Sequence, residues 1–186
     1  VGARRGVAPD DHGPAGPTRP GCRPGDNAAM RLRGSSPWNA ERVDRYLRDA
    51  VVPLRLACVG AGGVPLVCSL WYVFDGTALW CASQADAAVV RRLGADPRVG
   101  FEVAGDQPPY RGVRGQGRAA LRPADGARVL GELLDRYQGG RATPLARWLL
   151  ARADREVAVR IDIDWLTAWD YSARMASVAT PGSPSP

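Results

Sequence analysis

LVCSLWYVFDGTALWCASQADAAVVRRLGADPRVGFEV, residues 66–103, sets strand, turn, strand, short helix and strand one after another without a spare residue. The first strand reads from Val64 to Phe74 and is apolar on both alternating faces. Leu66, Cys68, Leu70 and Tyr72 fall on one side, and Val67, Trp71 and Val73 on the other. A strand of that kind is covered twice: a barrel interior on one face, and a second subunit or a ligand on the other. Asp75 and Gly76 turn the chain into a strand from Ala78 to Ser83, and Ala85 to Leu93 follows as a helix stopped by Gly94. After Pro97, the alternation of Val99, Phe101 and Val103 with Gly100, Glu102 and Ala104 predicts a half-buried strand.

Upstream, Leu54 to Val59 and the glycine-rich turn at residues 60–63 make a hairpin with the Val64 strand. A helix capped by Ser36, with Pro37 in its first turn and Val43, Tyr46, Leu47 and Ala50 on its apolar side, precedes it and ends at Pro53. Downstream, Tyr110 to Leu121 reads as a strand in which Gly112, Gly115 and Gly117 predict a bulge or a close backbone approach. Helices are expected at residues 124–137, closed by Gly139 and Gly140, and at residues 144–152. Val157 to Ile163 alternates strictly and is the clearest strand, with Trp165 to Tyr171 continuing it after a kink. Most connections are too short for parallel crossovers. The fold class is therefore mainly β with flanking helices: six strands in an antiparallel barrel.

Residues 1–36 are rich in Gly, Pro, Ala and Arg and lack periodicity, so they are expected to be a disordered tail. Residues 37–177 then form one domain and residues 178–186 a second tail; Met30 is a possible true start. The formal charge is +6, yet all 25 basic residues are arginine, and residues 1–36 carry six of them against three Asp. What remains shows no basic face interleaved with aromatics, which argues against a nucleic-acid partner. The one histidine, His12, lies in the first tail, which removes His ligands and bases from the folded part. Cys22, Cys58, Cys68 and Cys81 lack CxxC spacing and read as reduced thiols; no metal site is expected. Without a long apolar run or a signal-like start, the expectation is a soluble cytoplasmic protein with no membrane association.

Three segments carry a resemblance: PLRLACVGAGGVPLVCSLWYVFDGTALW (residues 53–80), RRLGADPRV (91–99) and YRGVRGQGRAAL (110–121). Together with their order they resemble the pyridoxamine 5'-phosphate oxidase-like, flavin-binding split-barrel superfamily over residues 38–171, and WDYSARM near the end is similar to an unassigned bacterial subgroup. The resemblance implies a six-stranded antiparallel split β-barrel and a homodimer that binds FMN, or in some branches F420 or haem, at the subunit interface. It implies Ser69, Leu70 and Trp71 as contacts to the ring and ribityl chain, Arg114 and Gln116 as polar contacts to the ring, and Trp169 as an aromatic contributed across the dimer. For the phosphate it implies the hydroxyl of Ser83, but the family's next Ser and Lys fall on Ala87 and Val89, which cannot pair with an anion. Arg91, Arg92 or Arg55 is then the expected substitute, chemically apt because the guanidinium fork matches phosphate. The implied function is an FMN-binding oxidoreductase acting on an unknown small molecule. Alternatives are an F420-dependent reductase, or a non-catalytic ligand-binding dimer that has lost the flavin. No catalytic side chain is assigned, since the cofactor carries the chemistry.

Overall fold

Two residues, Trp71 and Tyr72, join β2 (Pro65–Leu70) to β3 (Val73–Phe74), yet these strands form opposite edges of one sheet. The computed structural model describes residues 31–60 and 62–178. Its other strands are β1 (Leu54–Val59), β4 (Ala78–Gln84), β5 (Arg98–Ala104), β6 (Arg111–Arg122) and β7 (Glu156–Asp170), in the order β2-β1-β5-β6-β7-β4-β3. Every pairing is antiparallel. Three Cα steps reach no more than about 11 Å, so the sheet must curl until its edges meet. The closure is covalent.

The sheet has seven strands where the sequence predicted six, because the stretch from Val64 to Phe74 breaks in the middle. At the break, the Tyr72 backbone N–H donates to Tyr137 Oη (3.3 Å) instead of to a strand, and Trp71 stacks on the Tyr137 ring at 5.1 Å and 8°. Tyr72 is fully buried, its hydroxyl donating to the carbonyls of Leu47 and Ala50. A tyrosine 65 residues downstream thus takes over the chain where the ladder lapses.

The long strand β7 runs through the expected kink as one element. Gln116 pairs with Trp165 and Gly117 with Ile163, leaving Asp164 as the extra residue of a bulge. The expected close approach is also present: a Cβ on Gly115 would lie 2.4 Å from the Trp165 carbonyl oxygen, and one on Gly117 2.2 Å from that of Asp162.

Among the described residues five α-helices flank the sheet: α1 (Ala40–Asp49), α2 (Ala88–Ala95), α3 (Gly126–Gln138), α4 (Pro144–Leu150) and α5 (Ser172–Val178). The cap of α1 is Asn39, whose side chain accepts from the Arg42 N–H, and not Ser36. The Ser36 hydroxyl is engaged elsewhere, donating to Trp38 O and accepting from Ala168 N–H. Val43 and Leu47 of α1 and Val89, Val90 and Leu93 of α2 seal the barrel interior around Leu54, Leu56, Leu79, Ile161 and Leu166. Each such side chain contributes on the order of 1.5–3 kcal/mol by leaving water. The other face of β4 and β7 is covered by Val129, Leu130, Leu133 and Leu134 of α3, which ends on Gly139 at φ +67°.

Of the expected first tail, residues 1–30, including His12, Cys22 and Met30, lie outside the described residues. Residues 31–33 pair with β7: Leu166 N–H donates to Arg31 O (3.1 Å) and Arg33 N–H to Leu166 O (2.9 Å), while Leu32 packs on the core. The second tail, past Val178, is likewise outside the described residues.

Candidate functional site

Alternation along β2, β1, β5, β6 and β7 sends every second side chain away from the barrel interior, and the register arranges these into transverse rows. One row is Ser69, Arg55, Glu102, Arg114 and Thr167. The next is Val67, Ala57, Gly100, Gln116 and Trp165. Beyond it come Pro65 beside Val59, and Arg98 beside Arg118 and Asp162.

The middle row is small at its centre, and there the outer face dips into two adjoining hollows of about 440 and 410 Å³ that share Ala57, Gly100 and Gln116. The first hollow is walled by Arg55, Arg114 and Trp165, the second by Arg98, Arg118 and Asp164. Trp165 is fixed by its Nε1–H, which donates to Gln116 Oε1 at 3.1 Å. Arg33 lies over its ring, 3.6 Å from the centroid. Val67, at the edge of the hollow, is 64% exposed.

Electrostatically the groove is basic. The Arg55 guanidinium donates to a neutral acceptor, the Ala104 carbonyl (2.9 Å), and stands opposite Glu102 on β5 without an ion pair among the described residues. Arg114 forms no side-chain hydrogen bond or ion pair with any described residue. Arg98 is neutralised by Asp96, whose carboxyl is held down at about 2 by hydrogen bonds from the Arg98 side chain and N–H. The acidic members of the groove wall are Glu102 and Asp164.

The residues expected from the sequence therefore separate. Arg55, Ser69, Arg114 and Gln116 share the outer face. Leu70 packs against the barrel core instead. Trp71 is stacked on Tyr137 beneath α3, on the other side of the sheet wall. Trp169 alternates with Trp165 and Thr167 but pairs with Gly112, nearer the end of β6; its Nε1–H is buried without a partner among the described residues. Arg91 and Arg92 sit on α2 facing the β1–β2 turn, in a hollow with Gly60, Gly62 and Val64. The Arg91 side chain donates to Asp86 O and that of Arg92 to Val64 O (2.9 Å).

A phosphate at the positions implied by resemblance meets an ill-suited wall. Ser83 is partly buried on β4, opposite Val157. Ala87 stands at the N-cap of α2 with no side chain to offer, and Val89 is 6% exposed in the core. Two cations reach Asp86, beside Ala87: Arg155, paired with its carboxylate at 3.0 Å, and Arg91, whose side chain donates to its backbone carbonyl.

Sequence reading missed Ala57, Arg98, Gly100 and Trp165 as groove residues, and Arg33 as the cation on Trp165. The period-two alternation along β1, β5, β6 and β7 could have joined those on the strands, and it needs the register to be known. Among the described residues no cluster of His, Cys, Asp or Glu could hold a metal ion, and no helix is long and apolar enough to cross a membrane.

The pyridoxamine 5'-phosphate oxidase family model matches residues 39–169, well over half of the chain. The chain belongs to the pyridoxamine 5'-phosphate oxidase family. Solved structures share the family fold. A conserved hypothetical protein from Mycobacterium tuberculosis aligns over 84% of this chain and 98% of its own, at 24% identity and a TM-score of 0.63. An F420 reductase aligns over 66% and 94% at 23% identity and 0.57. The heme storage protein of Vibrio cholerae aligns over 76% and 95% at 15% identity and 0.55. No curated protein sequence matches the chain. At these identities the solved structures establish the fold of this family member and not its ligand.

Proposed function

We propose that two copies of the chain face each other across this outer sheet and hold a flavin-type redox cofactor in the groove, with F420 favoured over FMN. The carrying observation is the distribution of cations: Arg55 and Arg114 in one row and Arg118 two rows away, beside the Asp96-paired Arg98, with a floor of Ala57 and Gly100 between them. A planar tricycle needs a small, flat floor and a few polar contacts, which Ala57, Gly100 and the Gln116 amide supply. FMN adds to this one compact phosphate, and the family positions for it are occupied by Ala87 and Val89. F420 carries a phosphate followed by a chain of carboxylates, an extended anion that a line of separated guanidinium groups suits. The fold is compatible with such a cofactor, since one structural neighbour is an F420 reductase.

The bound cofactor would supply hydride transfer to or from a small molecule. The chain's own residues would then orient and exclude: Gln116 holds Trp165 upright as a wall, and Val67 with Val59 gives apolar surface to the second copy. Cys58 and Cys81 are buried and Cys68 partly so, all as free thiols, in keeping with a reducing, cytoplasmic setting.

Titration of the purified protein with F420 and FMN, followed by fluorescence, tests the reading. Expected is tighter binding of F420 than of FMN, at one ring per chain. Tighter FMN binding would reverse the choice of cofactor, and failure to bind either would leave a ligand-binding dimer without redox function.

A further inference from the structure

Arg33 stands outside the stretch matched by the family, which begins at residue 39, and outside every element of the barrel. It is nonetheless held in place from three sides. Its backbone N–H donates to Leu166 O (2.9 Å), and the residue two before it accepts from Leu166 N–H (3.1 Å). Its neighbour Leu32 is anchored in the core. Its guanidinium carbon is 3.6 Å from the centroid of Trp165, a van der Waals separation at which the guanidinium lies along the ring. Trp165 is in turn pinned by Gln116.

A guanidinium stacked by its face keeps its N–H donors at the rim of the plane, free to point elsewhere. No described residue accepts from them or forms an ion pair with them. The result is a cation already ordered against Trp165, itself a wall of the groove, with its hydrogen-bonding edge unused by any described residue. Ordering in advance removes the entropy a flexible arginine would lose on engaging a ligand.

We propose that Arg33 is a ligand-reading residue of the groove, pairing with an oxyanion in the tail of the bound cofactor. This rests on the functional reading above and assigns part of the cofactor's recognition to a segment outside the matched family stretch. Phosphate and carboxylate share the required chemistry, and Arg33 with Arg114 and Arg55 would bracket the ring with positive charge.

The test uses the full chain and two substitutions, Arg33→Gln and Arg33→Lys. Affinities are measured for the tailed cofactor that binds, F420 or FMN, and for the same ring lacking its phosphate-bearing tail. Arg33→Gln is expected to weaken the tailed cofactor about tenfold or more, and to leave the tail-free ring within about twofold. Arg33→Lys keeps the charge but loses the fork and the stack, and falls between. The loss should shrink as salt rises. Unchanged affinity for the tailed cofactor overturns the proposal. So does an equal loss on both ligands, which would mean that Arg33 only props Trp165. Binding of neither ligand by the unsubstituted protein overturns the functional reading and takes this proposal with it, an outcome distinct from normal binding that the substitution leaves untouched.

Discussion

Asp75 and Glu156 are carboxylates that folding moves in opposite directions. Burial alone would raise Asp75, but it accepts from Trp80 Nε1–H (2.7 Å), Ala78 N–H (2.7 Å), and the N–H and hydroxyl of Thr77, which together hold its carboxyl down at about 2. A depressed folded value means stability that is present above the unfolded value, near 4, and lost as pH falls toward 2. Asp75→Asn should cost about 1 kcal/mol at neutral pH and flatten that part of the acid limb in urea denaturation. Glu156 is 7% exposed, and burial pushes its carboxyl up despite a hydrogen bond from Gln84 Nε2 (3.1 Å). Its sign is reversed: the contribution is full below the unfolded value and lost as pH rises through the folded one. Glu156→Gln should therefore raise stability at neutral pH by about 1 kcal/mol, with the gain vanishing below pH about 4 in the same denaturation series. Neither carboxylate stands out in the sequence, because what moves them is supplied by Trp80 on one side and by Gln84, across the β4–β7 ladder, on the other. Arg33 was hidden for the same reason: its meaning comes from Trp165, and nothing in a Gly- and Pro-rich leader announces that contact.

The last turn of α1 is held from outside. Arg136 of α3 donates to the carbonyls of Leu47 (3.2 Å) and Ala50 (2.8 Å) and also to that of Arg48, Tyr72 donates to two of the same carbonyls, and Tyr137 donates to Val52 O (2.9 Å). Helix ends leave four carbonyls without partners, and here an arginine and a tyrosine supply what the sequence near Pro53 does not. Arg136→Ala should cost about 1–3 kcal/mol and, in hydrogen exchange, release the final turn of α1 before α3. Elements with their own period were legible from the chain. β7 shows its alternation from Val157, and α3 its stripe of Val129, Leu130, Leu133 and Leu134. The break between β2 and β3 was not legible, because Tyr72 continues the alternation of Leu66, Cys68 and Leu70, and only Tyr137 makes it a junction. The cap of α1 was misplaced by three residues because Ser36 and Asn39 are equally good caps locally; the Ser36 hydroxyl is drawn off by Trp38 and Ala168.

At the level of the molecule, the mainly β antiparallel fold and the family followed from the order of elements, whereas the groove required the register of five strands. The outer face carries apolar Val59 and Val67, exposed by 36% and 64%, which no described residue covers and a second copy would bury. Val67→Arg leaves the isolated chain untouched, since the side chain already faces solvent. It should weaken self-association about a hundredfold in sedimentation equilibrium and reduce cofactor affinity with it; a monomeric unsubstituted protein would dismiss the dimer. The closure of the sheet through Trp71 and Tyr72 has a consequence for how the chain can be cut. Elsewhere, neighbouring strands are joined by many hydrogen bonds, and opening a turn such as residues 60–63 leaves every ladder intact. Between β2 and β3 the join is the backbone itself, so new termini placed between Leu70 and Val73 would unfasten a cylinder into a ribbon. A circular permutant opened at Gly62 should fold and one opened at Trp71 should not, a difference circular dichroism would register: the barrel has one hoop, and it is two residues wide.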